Sequence, residues 1–516
     1  MGKKAVIIGT GAGGLTAAAR LAQHGYEVVA LERGKQIGGY LNPFARKHFH
    51  FDPGLHYVGS CAPGEMIHRV LRSVGIDAQE MFCAMDRDGF DVIRFPGFEV
   101  RVCAGLDAYE ARLRDLFPED RKDLARFFGI LRLAADLSRG RRPALGKLKA
   151  LADVPLVFGT FGRLLERVVR NPRLRAVLAG QIGDAGLPPS RAPALLGLGV
   201  ILHFAEGGYF PRGGTGRLRD ALVEAATSNG AVFHRRAEVT KIHVTNGAVR
   251  AVETDEGRTF EADVVVAACD PTLTYGTLID PEHVPQKILR KARRTKPSVA
   301  SVCVFLGMKR DLRAHGLGAF NVWDYPTWDL DRVYGDIMDG KVPEDWPVFL
   351  SPNSLKDDSG SMAPEGCSTL EVVTLAPHGP FAKWEGMKSF KRGDEYLEVK
   401  ERYADSVLAS VERRWPGLVG DVVVRDVATP VTNSHYVNAP AGSIYGPAAT
   451  SDQFAFNAFR AKSPIKGLAL AGAGTLGPGV GSCLASGLAA AKALRQSEER
   501  SFFAFPRRRP QLQPGT

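Results

Sequence analysis

Residues 6–32 read VIIGTGAGGLTAAARLAQHGYEVVALE, and this stretch decides the fold. The run 5–8 that opens it is apolar without alternation, which is typical of a parallel strand covered on both faces. Gly9, Gly11 and Gly14 follow with G-x-G-x-x-G spacing. This spacing allows a tight turn, the close approach of a pyrophosphate, and close packing of the next helix on the strand. The stretch therefore predicts a dinucleotide-binding βαβ unit.

The second half of the unit limits which dinucleotide can bind. The small-residue helix after the turn would direct its N-terminal N–H groups at the phosphates. A second strand is expected at 27–31, and Glu32 follows it. A carboxylate at this place accepts hydrogen bonds from a ribose 2′-hydroxyl and disfavours the 2′-phosphate of NADP.

The segment after Glu32 distinguishes FAD from NAD. Arg33 and the pair Gly38-Gly39 lead into a long non-helical stretch, residues 40–59. An NAD-binding domain would continue directly into another helix and strand. An extended Gly-Gly segment instead resembles the large flavoproteins with two dinucleotide-binding folds, in which it passes over the pyrophosphate. The sequence therefore predicts FAD.

Length and charge limit the number of domains and the kinds of partner that we expect. The 516 residues are 45% hydrophobic and 24% charged, which is the composition of a globular protein with two or three domains. The net charge of +11 is consistent with a solvated basic surface or with attraction to an anionic membrane surface. No recognition motif accompanies the charge, so nucleic acid is not an expected partner.

The cysteines indicate a reducing compartment. All seven are scattered and none forms a C-x-x-C pair, so neither a disulfide framework nor a structural zinc site is expected. No cluster of histidines, cysteines and acids has metal-ligand spacing, and we expect no metal. The N-terminus leads straight into a strand, without a signal peptide. We expect a cytoplasmic protein, peripheral on the inner face of a membrane.

A second block, residues 207–270, again combines a glycine-rich turn, a helix and apolar strands. A glycine-rich entry at 208–214 leads into a predicted helix at 216–229 and a strand at 238–242. Turn dipeptides at Asn246-Gly247 and Glu256-Gly257 delimit hairpin strands, and an apolar parallel-type strand follows at 263–268. This order resembles glutathione-reductase-like FAD folds. We therefore expect an α/β fold with two dinucleotide-binding units.

The remaining segments predict a second domain inserted twice into the first. Residues 76–204 are expected to be mainly helical and basic, with a long periodic stretch at 109–137 and an apolar helix at 192–204. Residues 286–425 carry candidate strands at 299–308 and 368–374 and a helix at 394–415. The predicted division is a discontinuous FAD-binding domain (1–75, 205–285, 426–500), a discontinuous α+β substrate- and membrane-facing domain (76–204, 286–425), and a basic, disordered tail (501–516).

One uncharged segment could be mistaken for a membrane span. Residues 468–491 contain no charged side chain and are long enough to cross a bilayer. Six glycines and Pro478 interrupt them. We predict a strand, a glycine-rich loop and a helix here, forming a second element that covers phosphate and ring.

Five motifs together resemble the phytoene desaturase, carotenoid isomerase and retinol saturase superfamily of FAD enzymes. They span nearly the whole chain, and those at 51–59 and 203–214 resemble the retinol saturase branch most. The motifs are GTGAGGLTAAARLAQHGYEVVALERGKQIGGY (9–40), FDPGLHYVG (51–59), HFAEGGYFPRGG (203–214), ATPVTNSHYVNAPAGSIYG (428–446) and LALAGAGTLGPGVGSCLASGLAAAKAL (468–494).

The resemblance implies a cofactor site assembled from three parts of the chain. FAD would be held by Gly9, Gly11, Gly14, Glu32, Arg33, Gly38, Gly39, Val239, Gly472, Gly474, Gly479 and Val480. Gly472, Ala473 and Gly474 would lie along the ribityl and phosphate groups. The run Gly479-Val480-Gly481 would cover the flavin ring.

Four residues are candidates for the chemistry. His203 ends an apolar helix beside a Gly-Gly turn, so a site role and a core or capping role both remain open. His56 and Tyr57 follow Pro53-Gly54 near the expected ring, with site and structural roles equally open. Tyr209 lies among glycines and could either serve the site or pack.

The resemblance implies hydride transfer through flavin N5 to or from a carbon–carbon double bond of a long hydrophobic polyene or isoprenoid, such as a retinoid or carotenoid. Saturation, desaturation and cis–trans isomerisation remain open, as does an acyl-chain substrate. Two other classes also remain open. One is a non-catalytic lipid-binding protein like the Rab GDP-dissociation inhibitors, and the other is an amine oxidase-type enzyme. The electron partner is unknown.

Overall fold

The computed structural model describes residues 2–138 and 154–495. A five-stranded sheet is parallel throughout, and the strand from the first glycine-rich motif lies at its centre. Its order is Leu468–Leu470, Val264–Ala267, Lys4–Ile8, Glu27–Glu32 and Val232–Arg235. The strands predicted at 5–8, 27–31 and 263–268 therefore meet in one sheet.

Three helices pack together on one side of this sheet: Ala12–Gln23, Thr215–Thr227 and Val480–Leu494. Alanines and glycines dominate the first and the last, and small side chains allow close contact between helices and sheet. An antiparallel sheet of Val239–Thr245, Ala248–Thr254 and Thr259–Glu261 forms the predicted hairpin. The α/β fold predicted from the sequence is confirmed.

A seven-stranded sheet forms the second layer of the molecule. Its order is Val422–Ala428, Ala300–Met308, Ser368–Ala376, Val348–Ser351, Asn321–Asp324, Asp91–Phe95 and Phe98–Val102. All neighbours are antiparallel except Asn321–Asp324 and Asp91–Phe95. The strand Val422–Ala428 crosses the predicted domain boundary at 425/426. The division into domains stays a prediction.

The expectation that 76–204 is mainly helical was incomplete. The described part of this segment contributes three strands: the short Phe82–Ala84, and Asp91–Phe95 and Phe98–Val102, which are joined at Pro96-Gly97. β-branched and aromatic residues favour strands here, and Asp91–Phe95 pairs with Asn321–Asp324 from a distant part of the chain. The periodic stretch 109–137 is divided by a turn at Pro118–Asp120 into helices Leu106–Leu116 and Arg121–Ser138.

The remaining helices surround the two main sheets. They are Met66–Ser73, Ala78–Met81, Phe161–Val168, Pro172–Leu178, Ala194–His203, Pro271–Leu273, Gln286–Arg294, Leu330–Met338, Asn353–Lys356, Asp394–Arg414, Pro430–Val437 and Ala473–Leu476. Two short ribbons complete the fold: Phe44–Arg46 with Phe49–Phe51, and Phe82–Ala84 with Tyr209–Pro211. The segment 468–491 contains a strand, a turn and helices, as predicted.

Candidate active site

The first glycine-rich turn combines tight packing with open space. A Cβ added to Gly14 would lie 2.1 Å from the carbonyl oxygen of Gly9, so the helix Ala12–Gln23 can approach the strand this closely only with glycine there. Gly9 has a φ of +87°, which favours glycine. A Cβ on Gly11 would meet no atom within 4 Å. A turn that is closed at Gly14 and open at Gly11 fits a bound pyrophosphate.

Glu32 joins the turn to the Gly-Gly segment. Its carboxylate accepts hydrogen bonds from the backbone N–H and the hydroxyl of Thr10. The N–H of Gly38 donates to the same hydroxyl at 3.2 Å. A Cβ on Gly39 would lie 3.2 Å from the Cα of Gly11. The structure therefore brings together three parts of the predicted cofactor site.

The C-terminal glycine-rich segment packs on the same helix. A Cβ on Gly13 would lie 2.9 Å from the backbone nitrogen of Gly472, whose N–H donates to the hydroxyl of Ser486 at 2.7 Å. Gly479 has a φ of +87° and open space where a Cβ would be. The helix Val480–Leu494 begins directly after it. The positive end of this helix therefore faces free space, which suits an electron-rich ligand.

A cavity of 2280 Å³ runs from the dinucleotide-binding edge into the second layer. At one end it is lined by Arg33, Gln36 and Gly39, and at the other by Trp323 and Phe349. Single-ligand pockets typically measure about 300–1,000 Å³. The cavity therefore has room for a dinucleotide and for a second large molecule.

The predicted cofactor residues lie in and around this cavity. Arg33, Gly39, Gly479 and Val480 line it. The others lie in the surrounding turns, strands and helices: Gly9, Gly11, Gly14, Glu32, Gly38, Val239, Gly472 and Gly474. Val239 begins a strand directly after Glu238, which lines the cavity. Individual roles toward FAD stay predictions.

His56 lines the cavity with a buried carboxylate behind it. Its Nδ1 lies 2.8 Å from Oε2 of Glu371, whose side chain is fully buried. The separation is that of a hydrogen bond, but the two groups are not aligned for one. The other Glu371 oxygen accepts the N–H of Asp52 at 2.8 Å. Glu371 thus fixes the loop and places negative charge beside the His56 ring.

Tyr57 also lines the cavity. Its ring stacks on Phe204 with centroids 4.3 Å apart, and its hydroxyl donates to Oδ2 of Asp184 at 2.8 Å. Burial, followed by the charges of Asp184 and Asp91, raises the pKa of Tyr57 well above its usual range. The phenol therefore stays neutral and acts as a donor. Asp184 itself lines the cavity.

Both ring nitrogens of His203 are engaged with the neighbouring loop. The N–H of Gly59 donates to Nε2 at 2.9 Å, so Nδ1 carries the proton and faces the Ser60 hydroxyl at 3.1 Å. Burial lowers the pKa of His203 to about 4. A Cβ on Gly481 would lie 3.4 Å from its Cε1. His203 lines the cavity as a neutral imidazole that holds the loop after Tyr57.

Tyr209 lies in a short ribbon. Its backbone exchanges hydrogen bonds with Val58 in both directions, at 2.8 and 2.9 Å. The cavity lining does not include it. The ribbon therefore fixes the backbone next to Tyr57, while the Tyr209 side chain lies apart from the cavity.

Sequence reasoning missed a buried polar cluster beside the cavity. Lys356 is 3% exposed, and its ammonium donates to the carbonyl of His56 at 2.5 Å and to the side chains of Asn321 and Ser351 at 2.8 and 2.7 Å. Burial lowers its pKa to about 7. Burial, followed by the charge of Glu371, raises the pKa of Asp52 to about 7. A charged residue within an apolar strand, as in STLEVVTLA at 368–376, was the available signal.

Further sequence predictions concern membrane spans, metal sites and the C-terminal tail. Among residues 2–138 and 154–495, no helix is long and apolar enough to cross a membrane. Three potential metal-ligand atoms, from Cys83, Asp357 and Asp358, come within 4.8 Å of one another. Asp358 already pairs with Arg212 at 3.2 Å. The tail 501–516, and residues 139–153 of the segment 76–204 that was expected to be helical and basic, lie outside the described residues.

Comparison with known proteins supports a flavin-binding site. The profile of the flavin-containing amine oxidoreductase family matches residues 12–495, and the chain belongs to this family. It is 26% identical to an all-trans-retinol 13,14-reductase of Danio rerio over 91% of this chain and 82% of that protein. It is 28% identical to a zeta-carotene-forming phytoene desaturase of Myxococcus xanthus over 93% and 91%, respectively.

Solved structures show the same fold at low identity. An oxidoreductase from Methanosarcina mazei is 18% identical, with a TM-score of 0.65, over 94% of this chain and 99% of that one. Cyclohexylamine oxidase from Brevibacterium oxydans is 15% identical, with a TM-score of 0.61, over 96% and 98%. The resemblance seen in the sequence motifs is confirmed, and so are the fold class, the oxidoreductase activity and the cofactor, FAD.

Proposed function

We propose that this flavoenzyme acts on carbon–carbon double bonds of a long hydrophobic polyene or isoprenoid, with saturation as the first candidate reaction. The observation that carries the proposal is the cavity, which continues from the dinucleotide-binding edge past His56 and Tyr57 to Trp323, Phe349 and other apolar side chains. A continuous apolar space beyond the cofactor end suits an extended hydrocarbon better than a small polar molecule.

The named relatives support this substrate class. Matches that extend over most of the chain at 26–28% identity include a retinol reductase, a protein named as an inactive retinol reductase, and a phytoene desaturase. A prolycopene isomerase of an Oncidium hybrid is 25% identical over 86% of this chain. Cyclohexylamine oxidase supports the fold alone, because it is 15% identical. We therefore place amine oxidation behind polyene chemistry.

When bound, FAD supplies the hydride-transfer chemistry of its N5 position. The protein's residues have three tasks around it. The turn at Gly9, Gly11 and Gly14 would receive the pyrophosphate, and Glu32 the ribose. Gly479 and the helix after it would face the ring. The apolar side chains of Trp323 and Phe349 would limit the amount of water beside the substrate.

We assign the four predicted catalytic residues different tasks. His56 and Tyr57 face the substrate space. His203 positions the loop 58–60, because both its nitrogens are already bonded there. Tyr209 holds Val58 through its backbone. These assignments follow from the contacts, and substitution with kinetic analysis would test them.

The test starts from purified protein. We would record its flavin spectrum, identify co-extracted lipid by mass spectrometry, and then reduce the flavin anaerobically. Retinol, phytoene and prolycopene would be added separately, and reoxidation of the flavin followed by absorbance. Reoxidation with a product two hydrogens heavier supports saturation, whereas oxidised flavin reduced by phytoene indicates desaturation.

Two results would overturn the proposal. One is rapid reduction of the oxidised flavin by cyclohexylamine or putrescine with no reaction toward any polyene. The other is a co-purifying polar ligand with no lipid. Conversion of prolycopene to its all-trans form without net redox change would replace saturation by isomerisation within the same substrate class.

We also propose that the enzyme meets its substrate at a membrane surface. A rim of exposed residues, Met387, Lys388, Phe390, Leu397 and Tyr436, surrounds one mouth of the cavity; all but Met387 also line the cavity. Phe390 is 95% exposed and Tyr436 59%. Apolar and aromatic side chains beside lysines are typical of insertion into the interface of an anionic bilayer.

A further inference from the structure

Two carboxyl groups meet around one phenol in a corner of the cavity. The hydroxyl of Tyr57 donates to Asp184 at 2.8 Å, and Asp91 also interacts with this hydroxyl. Asp184 lines the cavity, whereas Asp91 is 0% exposed behind it. Two acids so close together in a region of low dielectric cannot both be ionised without a large energetic penalty.

The surroundings of Asp91 stabilise its anion. Three side-chain N–H groups donate to it: Gln181 at 2.7 Å, Asn321 at 3.0 Å and Trp323 at 3.3 Å. Lys356 approaches from behind, because its ammonium donates to the oxygen of the same Asn321 amide. Burial raises the pKa of Asp91 to about 6 even though these donors lower it.

Asp184 has fewer donors. Burial raises its pKa to about 7; the Tyr57 hydroxyl opposes this shift and the charge of Asp91 adds to it. Three further phenols, Tyr325, Tyr334 and Tyr445, face this corner. Burial raises the pKa of each, so they stay neutral. When the environments of two carboxyls differ in this way, the pair divides into an acid and a base.

Building on the proposed function, we propose that Asp184 is the general acid that protonates one carbon of the double bond, with Tyr57 and Asp91 as positioning residues. The hydride adds to one alkene carbon, and the π electron pair moves to the other carbon. That carbon takes the proton of Asp184, whose O–H bond breaks as the C–H bond forms. A proton taken up from the solvent then restores the Asp184 carboxyl, so that each turnover consumes one hydride and one proton.

A first test needs no substrate. Infrared difference spectra of the holoenzyme between pH 5 and pH 9 report protonated carboxyl groups directly. Burial raises the pKa of Asp52 to about 7 as well, so the Asp184 band is obtained by subtracting the spectrum of Asp184→Asn from that of the wild type. We expect this subtraction to show a carboxylic-acid band with a midpoint near pH 7. Absence of this band from the wild-type-minus-variant spectrum would overturn the proposal.

The positioning roles of Tyr57 and Asp91 predict that their substitution shifts the midpoint of the Asp184 band in opposite directions. Tyr57→Phe removes the donor that stabilises the Asp184 anion, so the midpoint should rise. Asp91→Asn removes a neighbouring negative charge, so the midpoint should fall. Purely structural roles would leave the midpoint in place, and an unchanged midpoint in both variants would refute the roles assigned to Tyr57 and Asp91.

A second test measures the chemistry. The reduced holoenzyme is mixed anaerobically with the polyene that reoxidises the wild type. General acids typically contribute about 10²–10⁴-fold, so Asp184→Asn should be slowed by roughly 100-fold or more at pH 7. The matched control is Asp120→Asn, at a buried aspartate that receives a hydrogen bond from Asn171 and does not line the cavity.

The outcomes separate this proposal from the proposed function. If the wild type is reoxidised by a polyene and Asp184→Asn is slowed no more than Asp120→Asn, the acid is another group and the function stands. If no polyene reoxidises the wild type, the function fails, and the assignment of Asp184 as general acid fails with it.

Discussion

Replacing Asp184 by Asn should stabilise the fold, and increasingly so as the pH rises. The exchange keeps the shape of the side chain and leaves an oxygen that can accept the Tyr57 hydroxyl. The folded-state pKa of Asp184 is raised from 3.8 to about 7, mainly by burial. Between these two values the folded state holds a proton that the unfolded chain has lost. The stability of the wild type therefore falls as the pH rises through this window.

The size of the effect follows from the shift. One pKa unit corresponds to about 1.4 kcal/mol, and between pH 5 and pH 8 a carboxyl with these two pKa values loses roughly 2.6 kcal/mol of folding free energy. This is an upper limit, because the carboxyl is enclosed by protein but part of the residue faces a cavity that water can enter. Screening there reduces the effect, and we expect Asp184→Asn to gain about 1–2 kcal/mol over the wild type across this range.

The assay is reversible urea unfolding of both holoproteins at pH 5, 6, 7 and 8, with the same free FAD concentration throughout. The quantity of interest is the difference in unfolding free energy between variant and wild type at each pH, since other titrating groups cancel in it. Asp120→Asn controls for the general effect of an Asp-to-Asn exchange. A difference for Asp184→Asn that stays flat with pH, or shrinks, would refute the reasoning.

Three further pairs of substitutions test separate parts of the site. Gly11→Ala should give a folded protein that loses FAD, since a methyl group meets no protein atom there. Gly14→Ala should fail to fold, because its Cβ would lie 2.1 Å from a carbonyl oxygen. Flavin absorbance measures the bound FAD, and circular dichroism measures folding. Phe390→Ser should weaken flotation with anionic vesicles several-fold. Phe456→Ser, an 82% exposed control away from the cavity lining, should not. Equal flotation of the two variants would contradict membrane contact through the rim. His203→Leu leaves the Gly59 N–H without its partner and should cost about 1–3 kcal/mol in urea unfolding, and His203→Gln should recover part of this cost; equal stability of the two variants contradicts the positioning role.

The dinucleotide-binding part of the fold was predictable because its information is local. The turn at Gly9–Gly14 and Glu32 lie within one short stretch, and each residue type has one steric or hydrogen-bonding reason to be there. The parallel strands Lys4–Ile8 and Val264–Ala267 were recognisable as unbroken apolar runs, since both their faces are covered.

The seven-stranded sheet was less predictable for a related reason. Its strand Asp91–Phe95 lies in a segment whose composition favours helices, and its parallel partner is Asn321–Asp324. No local pattern specifies which distant strand will pair with such a segment, because tertiary packing decides it. The helical expectation for 76–204 therefore overlooked the edge of the sheet.

The same contrast applies to the two halves of the site. The cofactor end uses backbone groups and glycines in contiguous motifs, which a sequence displays directly. The acid corner is assembled from Tyr57, Asp91 and Asp184, which lie far apart in the chain, with Lys356 behind it. Each residue taken alone is an ordinary polar side chain, and its chemical significance arises from burial and from its neighbours. An enzyme family can therefore keep a recognisable cofactor motif while the chemistry on the facing sheet changes through single polar positions.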